Sequence, residues 1–426
     1  VLIKTNADIL TFIKECTGSP IVFNILPVNE NNHPANDFPL LCLFKNINTS
    51  KIYTLSFGHP DLKSNVSNAG LIFNSDLNLW AINKKSSAHL TKQTSFRDLN
   101  YHNFLNNIPT IELNDIKLPI HVSSKNFTGS INKCIPLVKH IESFNNATEI
   151  SNLPIPSEQE QLYFEFFIKL ESSGLFVNEQ IATKYKIPTM NGLAYTNYNL
   201  YTSTGRPSNA YGGINYAALN KTSGIRESFI SRFGKNGNLV LIDYSAFHPR
   251  LICKLIDYKI STDVDIYEYL AKLYFQTATV SEEEIQEAKR ITFRQLYGEV
   301  DEKYKHIKFL RRLQDYIELK WKEFESDGYV KTPYFGRKIF QSHIENPTPS
   351  KVFNYILQAA EGEISIKYMN DAIKYLSGKK TIGVLYTYDS ILFLLAKLPL
   401  DLMMFLKRSR INQTFILHSL FQPKIN

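Results

Sequence analysis

Cysteine is scarce in this 426-residue chain: Cys16, Cys42, Cys134 and Cys253 are the whole complement, and their scatter fits neither a zinc-ligand spacing nor a disulfide framework. Buried free thiols in a reducing, intracellular compartment are expected, with no structural zinc. Uninterrupted apolar runs of about 18 residues are missing too, which argues against a transmembrane helix and against a membrane partner. There are no internal repeats or low-complexity tracts. The chain starts at Val1 without an initiator Met or a basic-then-apolar leader, so a processed or trimmed start is expected rather than a secretion signal.

What is present is core material and positive charge. Hydrophobic residues make up 43% and aromatics 13% of a 49.0 kDa chain, enough for two or three packed units rather than one. A net charge of +8 and a pI near 9.0 suit a partner rich in phosphates, although charge speaks only to attraction.

Short apolar runs at 20–26, 38–45 and 51–57, broken by the polar stretch 29–37, read as strands. The linker-like Ser151–Pro156 closes a first region. Ser157 and Glu160 have capping-box spacing, and Leu162, Tyr163, Phe166, Phe167 and Leu170 then recur at helical intervals to Gly174. Leu239–Ile242 is an apolar run ending in Asp243, with Pro249 in the first turn of a following helix. Ser281 and Glu284 form a second capping box for a helix to about Tyr297. Lys303–Phe324 reads as a long helix, basic in its first half. Gly383–Leu395 reads as a hairpin with Asp389 at its tip.

Two carboxylates at strand ends, far apart in sequence, suit two-metal phosphoryl transfer, in which rigid strands present hard oxygen ligands to Mg²⁺. Asp243 and Asp389 fit that demand, and Mn²⁺ fits the same ligands. An aspartate after a strand more often only caps a helix or turns a loop, so spacing alone does not decide. On the helix 281–297, Lys289, Phe293 and Tyr297 lie four residues apart and share one face, with Arg290 and Arg294 on the adjacent stripe. An ammonium followed by two flat rings suits a triphosphate and a base.

Taken in order, these segments resemble the family A DNA polymerases. Thr202-Ser203-Thr204-Gly205-Arg206-Pro207-Ser208 is similar to the family's T-x-T-G-R-x-S signature, which implies that Arg206 touches the primer end, with Asn215 a weaker candidate for the same surface. Asp243-Tyr244-Ser245-Ala246-Phe247-His248-Pro249-Arg250 resembles motif A. It implies Asp243 and the Tyr244 backbone carbonyl as metal ligands, and Arg250 as a support on the nucleic-acid side. Lys289 through Gly298 resembles motif B, K-x-x-x-F-x-x-x-Y-G, which binds the incoming nucleotide through Lys289, Phe293 and Tyr297. Gly328-Tyr329-Val330, Thr332 and Gly336-Arg337 resemble the stretch that re-enters the palm, and Asn354 and Gln358 match an N-x-x-x-Q helix contacting template and primer. Tyr388-Asp389-Ser390 stands where motif C reads H-D-E, giving Asp389 as the second metal ligand.

The resemblance covers about residues 157–426. It implies a mixed α/β (α+β) chain with a right-hand palm and fingers. The expected divisions are an N-terminal domain 1–150, a reduced thumb or connector 151–200, palm 201–256, fingers 257–325 and palm again 326–426. The implied activity is template-dependent extension of a primer with dNTPs, using two Mg²⁺ ions, with primer–template and nucleoside triphosphates as partners. The short segment 174–195 leaves little room for a thumb, so low processivity or a borrowed clamp partner is expected.

The departures matter. His248 stands where DNA-copying members carry the Glu that packs under the sugar and rejects a ribose 2′-hydroxyl, so sugar choice is open. Ile285 replaces an Arg for the triphosphate; Arg290, Arg294 or a nearby Lys are the candidates to compensate, with lower nucleotide affinity the alternative. Ser390 follows Asp389 as in single-subunit RNA polymerases. An RNA-synthesising or primase-like enzyme and a non-catalytic nucleic-acid-binding module are therefore the rival readings. The strand 21–26 sits where a proofreading domain would carry Asp-x-Glu but reads Asn24-Ile25-Leu26, so no exonuclease activity is expected. The first domain is either a degenerate RNase H-like exonuclease fold or an unrelated α/β accessory domain.

Overall fold

In the computed structural model the described residues are 1–3, 5–57, 66–113, 135–148, 158–212, 214–220, 222–261, 263–396 and the backbone of 415–420. They fall into two compact units, Val1–Ser172 and Ser173–Asn426. The linker 151–156, Ser157 of the first capping box and Cys134 lie outside the described residues.

Unit 1 is built on strands β1 (Leu2–Ile3), β2 (Pro20–Pro27), β3 (Pro39–Asn46), β4 (Ile52–Ser56), β5 (Asn78–Ala81) and β6 (Arg97–Asp98), interspersed with helices α1 (Asn6–Cys16), α2 (Val66–Phe73), α3 (Lys84–Thr91), α4 (Leu99–Leu105), α5 (Ile135–Ala147) and α6 (Glu158–Ser173). The strands form one sheet in the order β1-β4-β3-β2-β5-β6. The run β2-β3-β4 is antiparallel, while β5 runs parallel to β2 and β6 to β5. Strands β2 and β3 are apolar on both faces because both are covered. One face packs Phe12, Phe23, Phe44, Phe73 and Phe96 into a single aromatic cluster. The other packs Val22, Leu43, Trp80 and Phe144.

The helix expected to open a connector belongs to this unit, and the break falls after Ser172 rather than near residue 150. Polar and aromatic contacts of three of its side chains help hold α6 there. Phe164 meets Tyr101 edge-on at 5.4 Å, Glu160 accepts from the Asp98 N–H at 2.9 Å, and the buried Glu171 pairs with Lys85 and, at 2.8 Å, with His89. Glu160 thus serves a neighbouring segment of the same unit.

Unit 2 opens with a two-stranded ribbon, β7 (Leu175–Phe176) and β8 (Leu193–Ala194), around the six-residue α7 (Glu179–Lys184). Nothing longer stands between α6 and β9 (Tyr198–Asn199), which pairs with β10 (Ser208–Tyr211) and, through it, β11 (Ile214–Asn215). The main sheet then forms from β12 (Asn238–Tyr244), β15 (Ile382–Thr387), β16 (Ser390–Leu395) and β17 (Phe415–Leu420), antiparallel throughout in the order β15-β16-β12-β17. Between β12 and β15 come helices α8 (Phe247–Leu255), α9 (Ile266–Phe275), α10 (Glu282–Tyr297) and α11 (Lys308–Asp327), the hairpin β13 (Tyr329–Lys331) and β14 (Lys338–Phe340), and the long α12 (Pro349–Tyr375).

Local chemistry sets these limits. Ser281 and Glu284 form the expected reciprocal capping box of α10, and Thr348 caps α12 with Pro349 in its first position. The long basic helix differs from the expected Lys303–Phe324. Residues 302–304 make only a 3₁₀ turn and α11 begins at Lys308, because Ile307 and Tyr304 turn into the core formed by α8 to α12. Gly328, at φ +73°, ends α11 in the left-handed region. Among the described residues no helix is long and apolar enough to cross a membrane, and Cys16, Cys42 and Cys253 are free, buried thiols.

Candidate active site

The two aspartates are brought together by sheet register. Asp243 is opposite Ser390 in the β12–β16 pairing, so Asp389, the last residue of the β15–β16 turn, lies beside the end of β12. The Tyr244 N–H donates to the Asp389 carbonyl at 3.3 Å, fastening the hairpin tip to β12. Tyr388 makes the turn possible by adopting φ +60°, and Ala246 adopts φ +47° where β12 passes into α8. Left-handed backbone at two non-glycine residues flanking one site is strain of the kind that surrounding structure must impose.

Both aspartates open into a cleft of about 560 Å³ that is also lined by Arg206, Tyr244, His248, Tyr267, Lys289, Phe293, Tyr297 and Glu361. The α10 face is the one read from the sequence. Phe293 and Tyr297 stack with ring centroids 5.8 Å apart and planes 3° from parallel, and the Lys289 ammonium sits 5.4 Å from the Tyr267 ring.

The electrostatics are unbalanced. Asp243, Asp265, Glu268, Glu282, Glu361 and Asp389 line the cleft against only two permanent cations, Arg206 and Lys289. Burial, then the neighbouring Asp243 and Glu361 carboxylates, pushes the Asp389 pKa up to about 6. A divalent cation would relieve that repulsion. Mg²⁺ needs one or two carboxylates and takes its remaining oxygens from water and phosphate, so Asp243, Asp389 and the Tyr244 carbonyl are a fitting donor set. The described residues contain no cluster of three or more His, Cys, Asp or Glu arranged to hold a metal by side chains alone.

The floor of the cleft holds a residue that the motif reading missed. Glu361 of α12 is 1% exposed and accepts from the Arg206 Nε–H. His248 Nε2 is 3.3 Å from the same carboxylate and 3.2 Å from Arg206 Nη2. His248 Nδ1 contacts the Tyr297 hydroxyl. Arg206 also lies over the Tyr388 ring at 5.0 Å, and its pKa is raised: burial works against the charge, but Glu361 outweighs it. Glu361 follows Asn354 and Gln358 at helical spacing, and that periodicity was the available signal. Tyr267, brought over by α9, had none.

Other expected residues fall elsewhere. Arg290 and Arg294 are outside the cleft, exposed and paired with Glu287 and Asp301, so neither fills the gap left by Ile285, which does line the cleft. Arg337 is buried, and its guanidinium donates to the carbonyls of Thr202 and Ser203. It holds the loop carrying Arg206 instead of presenting a charge to nucleic acid. Arg250 donates to the Val264 carbonyl at 2.9 Å. Asn215 is exposed on β11, where it caps a short turn at Ala217. Asn354 donates to the Tyr297 carbonyl at 3.1 Å, tying α12 to the end of α10, and Gln358 is half-buried four residues along the same helix.

Comparison with known proteins agrees with this geometry at the level of fold. No family model matches the sequence, and no curated protein does. Among solved structures, the POL domain of Pol1 from M. smegmatis in complex with DNA primer-template and dNTP is similar over 98% of both chains, with a TM-score of 0.69 and 11% identity. The chain therefore has a family A polymerase fold, in the mixed α/β class expected from the sequence.

Proposed function

We propose that this chain is a template-dependent DNA polymerase that extends a primer 3′-hydroxyl with nucleoside triphosphates by two-metal phosphoryl transfer, without proofreading. The observation that carries the reading is the convergence of Asp243 and Asp389 at adjacent strand ends, in one cleft with Lys289, Phe293 and Tyr297. Asp243, Asp389 and the Tyr244 carbonyl would hold Mg²⁺, with Mn²⁺ an alternative. Bound there, the divalent ions supply charge neutralisation and a more acidic 3′-hydroxyl.

This chain's own residues do the positioning. Lys289 meets the triphosphate as a point charge, Phe293 and Tyr297 give the base a flat face, and Arg206 reaches the primer end from a loop that Arg337 holds in place. Asn354 and Gln358 extend the nucleic-acid surface along α12. The absence of proofreading is argued from Asn24-Ile25-Leu26 on β2, where the resemblance calls for Asp-x-Glu. The short ribbon and α7 offer little to grip a duplex, so a clamp partner or low processivity belongs to the same proposal.

The test is primer extension on a defined primer–template in Mg²⁺, with the wild type beside Asp243→Ala and Asp389→Ala. Extension that both variants lack, with duplex binding retained, supports the reading. Tight, salt-sensitive duplex binding without extension in Mg²⁺ or Mn²⁺ would leave a non-catalytic binding module.

A further inference from the structure

A second cavity, of about 360 Å³, shares one wall with the cleft, Phe247, and is otherwise built from different residues. Its interior is aliphatic, formed by Leu251 of α8, Ile260, Ile266 at the start of α9 and Ile364 of α12. Around these stand three cations, Arg250, Lys254 and Lys259, and among the described residues no Asp or Glu lines it. The cleft has the opposite balance, with six carboxylates in its lining. Lys254 and Lys259 are exposed, and the ion pairs of the described residues involve neither of them.

An apolar hollow ringed by positive charge is the complement of an apolar side chain flanked by carboxylates. The same cations would suit the phosphates of a nucleic-acid strand, but the interior does not suit its bases. Bases stack on flat rings, and both rings here are already engaged. Tyr244 covers one face of Phe247 at 4.2 Å with the planes 14° apart, while Tyr258 meets Phe309 edge-on at 5.5 Å and shares its hydroxyl with that of Tyr269. The aliphatic walls offer nothing to the polar edge of a base. Apolar surface also continues outside the hollow. Tyr368 is exposed one turn beyond Ile364 on α12, and the exposed Tyr334 ring lies 5.3 Å from the Lys254 ammonium. An anchor pocket bordered by exposed aromatic rings is how protein interfaces are built.

We infer that this face is a docking site for an acidic segment of a partner protein, which seats a bulky apolar side chain against Leu251 and Ile364 while its carboxylates meet Arg250, Lys254 and Lys259. The site stands apart from the chemistry of the cleft, so its occupancy can be measured whether or not the chain extends a primer.

The experiment follows the fluorescence anisotropy of a labelled peptide, Asp-Asp-Glu-Leu-Phe-Glu-Asp-Asp, added to the full chain at physiological ionic strength. Replacing the Leu and Phe of the peptide by Ser should weaken binding at least about tenfold, the lower end for burying one such side chain. Lys254→Glu/Lys259→Glu should weaken it by about the same factor, through like charges brought face to face. Lys184→Glu/Lys322→Glu, the same change of charge at exposed positions on α7 and α11, should weaken it less than about twofold. Absence of binding, equal binding of the Ser peptide, or an equal loss in both double variants overturns the inference. A dT oligonucleotide that displaces the peptide, and that loses affinity in the first double variant and not in the second, would give the face to nucleic acid and overturn it as well. Since a charge reversal can disturb folding, a peptide carrying benzoylphenylalanine in place of Phe locates the site on the wild type. Photo-adducts on α8 or on Tyr258 to Ile260 uphold the inference, and adducts confined to other segments overturn it.

Discussion

Replacing Asp389 by Asn should make the protein more stable at neutral pH while abolishing its activity, and the size of the gain follows from the crowding of carboxylates. Raising a carboxylate from its ordinary 3.8 to about 6 costs the ionised folded state about 3 kcal/mol. The sign is set by proton uptake. Between pH 3.8 and about 6 the folded protein holds this proton and the unfolded chain does not, so stability falls as pH rises through that window. The penalty is complete above the window and absent below it.

Asp389→Asn removes the ionisable group, so in EDTA at pH 7.5 it should raise the melting temperature by about 6 °C for a unit of this size. The difference should disappear near pH 4. Mg²⁺ should stabilise the wild type, through the pair Asp243 and Asp389, and should leave the variant nearly unmoved. Scanning calorimetry across pH 4–8, with and without the ion, measures all three. A variant that melts lower than the wild type in EDTA at pH 7.5, or a gap that does not change with pH, would refute the crowding argument.

Lys289→Ala should weaken nucleotide use about 10- to 100-fold, the range for losing one charge-assisted hydrogen bond, mainly in KM; steady-state extension at varied nucleotide concentration separates KM from kcat. Glu361→Ala leaves the largely buried Arg206 without its carboxylate and should cost about 3 kcal/mol in urea unfolding, whereas an exposed pair such as Arg290–Glu287 should contribute under about 1 kcal/mol. In unit 1, burial opposes ionisation of Glu171, but Lys85 and His89 hold its pKa down to about 2. Its contribution is therefore present above pH 4.5 and fades as pH falls from there to about 2. Glu171→Gln should destabilise unit 1 at pH 7 by roughly 3 kcal/mol and differ less from the wild type in acid, as read by calorimetry.

Much of this was legible in the sequence because it depends on local rules. A capping box fixed the start of α10 and the four-residue spacing put Lys289, Phe293 and Tyr297 on one face. An apolar run ending in Asp243 and a second one around Asp389 gave the two strands whose register brings the carboxylates together. The limits of α11 were less legible, since Ile307 and Tyr304 interrupt a helical pattern for the sake of a core contributed by four other helices. Arginines were misplaced for a related reason. Arg290, Arg294 and Arg337 all stand in or near matching motifs, yet local partners Glu287 and Asp301, and the Thr202 and Ser203 carbonyls, hold them away from the cleft.

The exchange at the cleft floor shows what a motif leaves out. By motif alone, His248 is a lost carboxylate, and a lost carboxylate suggests weakened control of the sugar. In space, a carboxylate is present within 3.3 Å of the imidazole, delivered by Glu361 from a helix more than a hundred residues further along the chain. The negative charge is thus kept at the cleft floor, carried by Glu361, while the group touching the Tyr297 hydroxyl is the imidazole Nδ1. Charge and polarity are separable properties of a site: the first depends on which ions lie within a few ångströms, the second on where each proton sits.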